Sequence, residues 1–352
     1  MPSGTPRDNA APVPPVAIPA TMRAVVAERY GGIEALRVTE RQRPDIASDE
    51  VLVQVYAAGL DRGQLHLLNG EPYLLRLALG LRRLRQPVMG LDVSGIVIEV
   101  GSAVTRFAPG DEVFGIARGS FADYAVAKES KLARKPAGLS HTAAAVVPVS
   151  GLTALQACRD AGRVARGDRV LVTGASGGVG SFAVQIAKAS GATVTTVARA
   201  ATADLVRSLG ADEVIEADHL LAAGDGRFDV ILFIAGTQSV RQLRRLLTPT
   251  GTLVVIGGED NDRITGISRQ LRAVASSPFV RQRLTMLVSK ETHVDIEELG
   301  RMIEAGSLRA SVGATYALAD IAVAFGALAD RQVRGKIAIL PAPQSGTAAL
   351  PR

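Results

Sequence analysis

A short apolar strand that runs into a glycine-rich turn and then a helix constrains this chain more than any other feature. Arg169-Val-Leu-Val-Thr173 leads into Gly174-Ala-Ser-Gly177-Gly178-Val-Gly180, and Ser181–Ala189 is helical up to Gly191. Glycines at such a turn let the backbone bend sharply and approach a pyrophosphate. The helix N-terminus then offers free N–H groups and a positive dipole end. A tight turn without a ligand is the bland alternative. The context argues for a ligand. Thr193–Ala198, Glu213–Ile215, Asp229–Phe233 and Thr252–Ile256 read as further strands, with helical stretches at Ala203–Leu209 and Val240–Leu247. That alternation predicts βαβ units in a doubly wound parallel sheet.

The expected dinucleotide contacts follow from this placement. Gly177, Gly178 and Gly180 form the turn, with Ser176 and Val179 beside them. Ser150 and Thr153 precede the first strand. Gly236, Gly257 and Gly258 close strand ends where a nicotinamide ring would sit. The second strand selects the cofactor. An acid at its C-terminal end would bind the ribose 2′-hydroxyl of NAD, but this strand ends in Ala198-Arg199. A guanidinium forks onto a 2′-phosphate, so NADPH is the expected cofactor. An arginine that only faces water is the alternative.

The chain before residue 150 has a different texture. Met22–Tyr30, Val51–Ala57, Ile96–Val100 and Ser120–Val126 read as strands, and no long helix is evident before about residue 140. After the parallel unit, Leu284–Val288 is a candidate sixth strand. Val294–Ala305 and Asp320–Ala329 read as helices, and Ser311–Ala317 and Lys336–Leu340 as strands. The expected organisation is a Pro/Ala-rich leader at 1–21, a β-rich unit at 22–148 completed by 291–341, a dinucleotide-binding unit at 149–290, and a loose tail at 342–352.

Composition excludes several classes. Cys158 is the single cysteine, so no disulfide within the chain and no cysteine zinc site can form. It sits in an apolar stretch and reads as a small core residue rather than a nucleophile. A reducing cytosol is the expected location. No apolar stretch is long enough for a transmembrane helix, and no membrane partner is expected. The net charge of +6 is mostly interspersed with acids, except in Arg76–Arg85. That run reads as a solvated face or as a rim attracting an anionic ligand. Nucleic acid is not an expected partner, because no recognition motif or interleaved aromatics accompany the charge.

Further motifs carry a resemblance. Pro87-Val-Met-Gly-Leu-Asp-Val-Ser-Gly95, Pro109-Gly-Asp-Glu-Val-Phe-Gly115, the turn at 174–180, Leu247-Thr-Pro-Thr-Gly-Thr-Leu253 and Arg334-Gly-Lys336 together resemble the medium-chain dehydrogenase/reductase superfamily. Within it the chain is similar to the quinone oxidoreductase, zeta-crystallin-like branch. The resemblance implies an α/β fold: a GroES-like β-rich catalytic domain plus a Rossmann domain, with the substrate cleft between them. It also implies a homodimer. Zinc-dependent members hold their metal with Cys, His and Cys. The corresponding places here hold Asp61, Leu91 and about Pro148, so no metal is expected. The implied reaction is hydride transfer from NADPH to a quinone or conjugated carbonyl compound. An enoyl-thioester reductase and a non-catalytic NADPH-binding protein stay open as alternatives. Tyr56, His66 and Tyr73 are candidate proton donors, with solvent as the alternative. Asp61 is placed at the nicotinamide ribose or at a loop cap, and Lys336 at a phosphate or loop contact.

Overall fold

The computed structural model describes residues 18–341, except 223, 258–269, 271–272, 276 and 278–279. Gly258, most of the leader and the tail from 342 lie outside the described residues. Chain order begins with an antiparallel pair, β1 (Thr21–Ala27) and β2 (Leu36–Gln42). The sequence LRVTERQ hides β2, because its charged side chains face water and leave little alternation to read.

The next strands are β3 (Glu50–Leu60), β4 (Asp92–Val100), β5 (Glu112–Ile116), β6 (Tyr124–Lys128) and β7 (Leu132–Arg134). Between β3 and β4 lie helices α1 (Arg62–Asn69) and α2 (Arg76–Leu79); α3 (His141–Ala145) and α4 (Pro148–Gln156) follow β7. Helix α1 escapes a periodicity reading because it has only eight residues. It is set by its ends: Asp61 caps the first turn through Gln64 N, and Gly70 closes it in the left-handed region at φ 61°.

The parallel unit holds β8 (Arg169–Thr173), α5 (Gly178–Ala189), β9 (Thr193–Val197), α6 (Ala200–Ser208), β10 (Glu213–Ile215), β11 (Phe228–Phe233), α7 (Val240–Leu246), β12 (Leu247–Val255) and β13 (Arg283–Met286). Its order is β10-β9-β8-β11-β12-β13, and every pairing is parallel. Numbered from β8, this is the 3-2-1-4-5-6 order of the Rossmann fold. Alternate residues bury both faces. Val170, Val172, Val230 and Leu232 face one core, and Leu171, Ile231 and Phe233 face the other.

The chain then returns through α8 (His293–Glu304), β14 (Val312–Ala317), α9 (Ile321–Ala329) and β15 (Lys336–Leu340). Strand β15 lies antiparallel to β3, with Ala338 opposite Gly59, and completes the order β14-β15-β3-β4-β5-β7 with β6 also on β3. One core spans both sheets: Phe114 of the β-rich sheet, Leu152 of α4, Phe182 of α5 and Leu299 of α8 share it. The two sheets are therefore held against each other with the start of β15 between them. No described helix is long and apolar enough to cross a membrane.

Candidate functional site

The turn after β8 presents backbone. Gly177 caps α5 without any side-chain hydrogen bond, so the first-turn N–H groups of this twelve-residue helix have no capping partner. A Cβ on Gly180 would stand 2.1 Å from the Gly174 carbonyl, so helix and strand approach only because no side chain intervenes. A Cβ on Gly178 would meet Lys336 Cδ at 2.8 Å and Ser150 Oγ at 3.0 Å. Ser150 and the Lys336 stem therefore border the turn. Gly335 N donates to Ser176 O at 3.2 Å and ties β15 to the same loop.

Opposite this backbone stands a cluster of side chains. Lys336 is buried at the start of β15, and its Nζ donates to Asp92 Oδ2 at 3.1 Å and pairs with Asp61 Oδ2 at 3.6 Å. Asp92, fully buried at the start of β4, also accepts from Val149 N at 2.8 Å, in the first turn of α4. Burial pushes the Asp92 carboxyl up to about 7, against the pull of the Lys336 ammonium and with a further push from Asp61. Burial alone would lower Lys336, but the two carboxylates raise it above the usual lysine value. Asp61 Oδ1 accepts from Gln64 N at 3.3 Å, while Asp61 Oδ2 and Gln64 Nε2 are buried without a hydrogen-bond partner. Gln64 Oε1 accepts from Gly90 N at 3.0 Å, which fixes α1 to the stretch that leads into Asp92.

The remaining expected residues divide. Val179 lies in the first turn of α5, Gly236 follows β11 and Gly257 follows β12, all at the C-terminal side of the parallel sheet. Arg199 is exposed at the N-cap of α6, just past β9. Thr153 spends its hydroxyl on Val149 O at 2.7 Å, inside α4. Tyr56 stands apart from the cluster. It is exposed on a bulge of β3, five residues before Asp61, which is roughly 16 Å along a strand. Its ring meets His141 at 4.7 Å between centroids. His66 is exposed in the last turn of α1, and Tyr73 lies under the Arg76 guanidinium.

The His141 neighbourhood has a suggestive order. Ser94 Oγ lies 2.8 Å from His141 Nδ1, and His141 Nε2 lies 3.3 Å from Glu112. Ser94 is fully buried, however, and its hydroxyl donates to Val113 O at 3.0 Å, so it offers no nucleophile. Cys158 is buried too, and burial pushes its thiol up to about 12. Among the described residues no three His, Cys, Asp or Glu side chains converge as metal ligands would.

Gln64 has no sequence signal. Asp92 enters the sequence reading only as part of the Pro87–Gly95 motif, and nothing there links it to Lys336. The cluster forms only because β15 returns beside β3.

Known proteins agree with this architecture. Residues 47–137 match the alcohol dehydrogenase GroES-like domain, and residues 209–339 match a zinc-binding dehydrogenase domain. The mouse NAD(P)H oxidoreductase RTN4IP1, a mitochondrial protein, is 31% identical over 90% of this chain and 89% of its own length. This chain belongs to the medium-chain dehydrogenase/reductase family, in its quinone oxidoreductase branch. The quinone oxidoreductase of Coxiella burnetii superposes with a TM-score of 0.80 at 27% identity, over 91% of this chain and 99% of that one. The CurK enoyl reductase gives 0.77 at 25%, over 92% and 100%. One expectation is overturned. Relatives are named mitochondrial or chloroplastic, which contradicts the cytosolic location read from the cysteine count. A lone buried thiol reports only a site protected from oxidation and does not identify a compartment.

Proposed function

We propose that this oxidoreductase uses NADPH, works without zinc, and delivers hydride to a quinone or to the C=C bond of a conjugated enone. The observation that carries this reading is the Lys336 ammonium buried between Asp61 and Asp92. Zinc-dependent members hold their metal at places corresponding to Asp61, Leu91 and about Pro148. Here Asp61 and Asp92 already share a protein cation, and a pair of carboxylates is a poor zinc donor set. A cleft without a Lewis acid suits an acceptor that delocalises its own developing charge.

The residues fit a bound dinucleotide. The uncapped first turn of α5, bordered by Ser150, suits the pyrophosphate. Arg199 suits the 2′-phosphate. Asp61 Oδ2, a buried acceptor without a hydrogen bond, suits a ribose hydroxyl at the nicotinamide end. The bound reduced nicotinamide supplies the hydride. Lys336 keeps Asp61 and Asp92 compensated beside the ligand. Neither Tyr56 nor His66 stands in the cluster, so solvent is the proposed proton source. A homodimer built on the β13 edge completes the reading by analogy with the branch.

The test is loss of NADPH absorbance against quinones, 2-enones and enoyl thioesters, with NADH and EDTA controls. EDTA-insensitive turnover that prefers NADPH is expected. Zinc-dependent alcohol oxidation would overturn the proposal. A marked preference for thioesters would move the acceptor to that class, which the likeness to CurK favours as a second reading. Binding without turnover of any acceptor would favour an accessory role.

A further inference from the structure

The connection between Asp61 and Asp92 carries a feature the cleft does not use. Four exposed large apolar side chains fall within nine residues: Tyr73 is 43% exposed, Leu74 50%, Leu77 64% and Leu81 67%. Among the described residues the other exposed large apolar side chains are scattered, and Leu221 is the one leucine among them. Leu74 and Leu77 lie three residues apart across a short turn (Tyr73–Leu75) and α2, and Leu81 follows Gly80, whose φ of 119° ends the helix.

The rest of the segment is tied down. Arg76 Nε donates to Gly70 O at 2.8 Å, and its guanidinium lies 4.5 Å over the Tyr30 ring. The Tyr30 hydroxyl donates to Gly80 O at 2.6 Å, and Leu84 is buried in the β-rich core. These anchors hold the leucines outward. A cluster of this kind on a folded surface marks an interaction site.

Charge identifies the partner. From Pro72 to Leu91 the chain contains Arg76, Arg82, Arg83 and Arg85 and no acid. Arg82, Arg83 and Arg85 are exposed. We propose that this face docks on the surface of an anionic lipid bilayer. The leucines enter the acyl boundary, Tyr73 lies at headgroup level, and the arginines meet lipid phosphates. A second copy of the same face fits poorly, because two acid-free arginine clusters would oppose each other. Surface docking needs no spanning helix, so it revises only the expectation that no membrane is a partner. On the quinone-reductase reading, it would bring the cleft to an acceptor dissolved in the bilayer; the docking itself does not depend on that reading.

The full chain is sedimented with phosphatidylcholine vesicles, with and without phosphatidylglycerol. Binding to the anionic vesicles is expected to exceed neutral binding on the order of tenfold at low salt. It should be lost in Leu77→Ser/Leu81→Ser and weakened in Arg82→Gln/Arg83→Gln. Melting temperature and NADPH binding should stay unchanged, since all four side chains are exposed. Absence of binding to anionic vesicles would overturn the proposal, as would binding that survives both double variants. So would a dimer that Leu77→Ser/Leu81→Ser converts to a monomer, which would assign the face to a second copy. Turnover of a water-soluble quinone by the same samples separates the two readings. Vesicle binding without turnover would sink only the reductase reading, and turnover without vesicle binding only the docking.

Discussion

The two sides of the candidate site are built from different materials. On the parallel-sheet side the proposed contacts are backbone: the first turn of α5, the close approach of Gly180 to the Gly174 carbonyl, and loop ends after β11 and β12. On the β-rich side they are the side chains of Asp61, Asp92 and Lys336, drawn from two strand ends and a returning strand. A backbone site needs small residues at fixed local spacing. A side-chain site needs tertiary closure and compensated charge. The first side should therefore fail through sterics and the second through electrostatics.

Lys336→Met tests that contrast hardest. It leaves Asp92 buried without its counter-ion, which costs about 3–5 kcal/mol for pairs of this kind. Urea unfolding should show a penalty that grows as the pH rises above about 7, where the wild-type Asp92 ionises against Lys336 while the variant carboxyl, without that pull, keeps its proton to higher pH. The sign follows from linkage. The folded-state value of Asp92 lies above that of an unfolded aspartate, so the folded chain keeps a proton the unfolded chain has lost. Through this group the wild type loses stability as the pH rises from roughly 4 to 7. A penalty independent of pH would mean that the cost is lost packing of the lysine stem, and the electrostatic account of this side would fail.

Gly180→Ala is the steric counterpart. Its Cβ would fall 2.1 Å from a backbone carbonyl, so α5 must shift off β8. A loss of about 1–3 kcal/mol is expected. It should not vary with pH, and NADPH affinity should drop with it. Unchanged melting with unchanged NADPH binding would show that close approach is not what this side requires.

These materials also decide what could be read in advance. The turn at 174–180, the strand–helix alternation and the sixth strand near 284 are local patterns, so the parallel sheet was legible. The β-rich sheet was legible only in part. Strand β2 hides behind charged outward residues, and α1 is too short to show a period. Asp61 and Lys336 stand out singly in the sequence, but nothing local joins them to Asp92, because Asp92 and Lys336 are 244 residues apart. Tyr56 is a candidate proton donor from the sequence, on a strand whose alternation also fits a half-buried core aromatic. The bulge between Val55 and Ala57 turns it out toward His141 instead.

Arg199→Ala sharpens the comparison on the backbone side, where this one side chain is asked to choose the ligand. Loss of a charge-assisted contact to the 2′-phosphate should raise the Kd for NADPH on the order of tenfold and leave NADH unaffected. Titration of intrinsic or cofactor fluorescence reads both. Equal effects on both cofactors, or none on either, would leave Arg199 as a solvent-facing residue.

Asp61→Asn is the mildest change and separates two roles of one side chain. Asparagine keeps the cap on α1, since its oxygen can still accept from Gln64 N. It removes one of the two charges beside Lys336. Stability should therefore change by less than about 1 kcal/mol, because Asp92 remains as the counter-ion and the cap persists. The pH dependence is the sharper readout. The charge on Asp61 helps hold Asp92 high, so in Asp61→Asn the fall in stability with rising pH should start at the same pH, end at lower pH and be smaller in total. If NADPH affinity also survives, Asp61 serves the cofactor through a hydrogen bond that an amide oxygen can accept. If affinity collapses while stability holds, the negative charge itself is required at the ribose. The electrostatic side would then extend from the Lys336 cluster into cofactor binding.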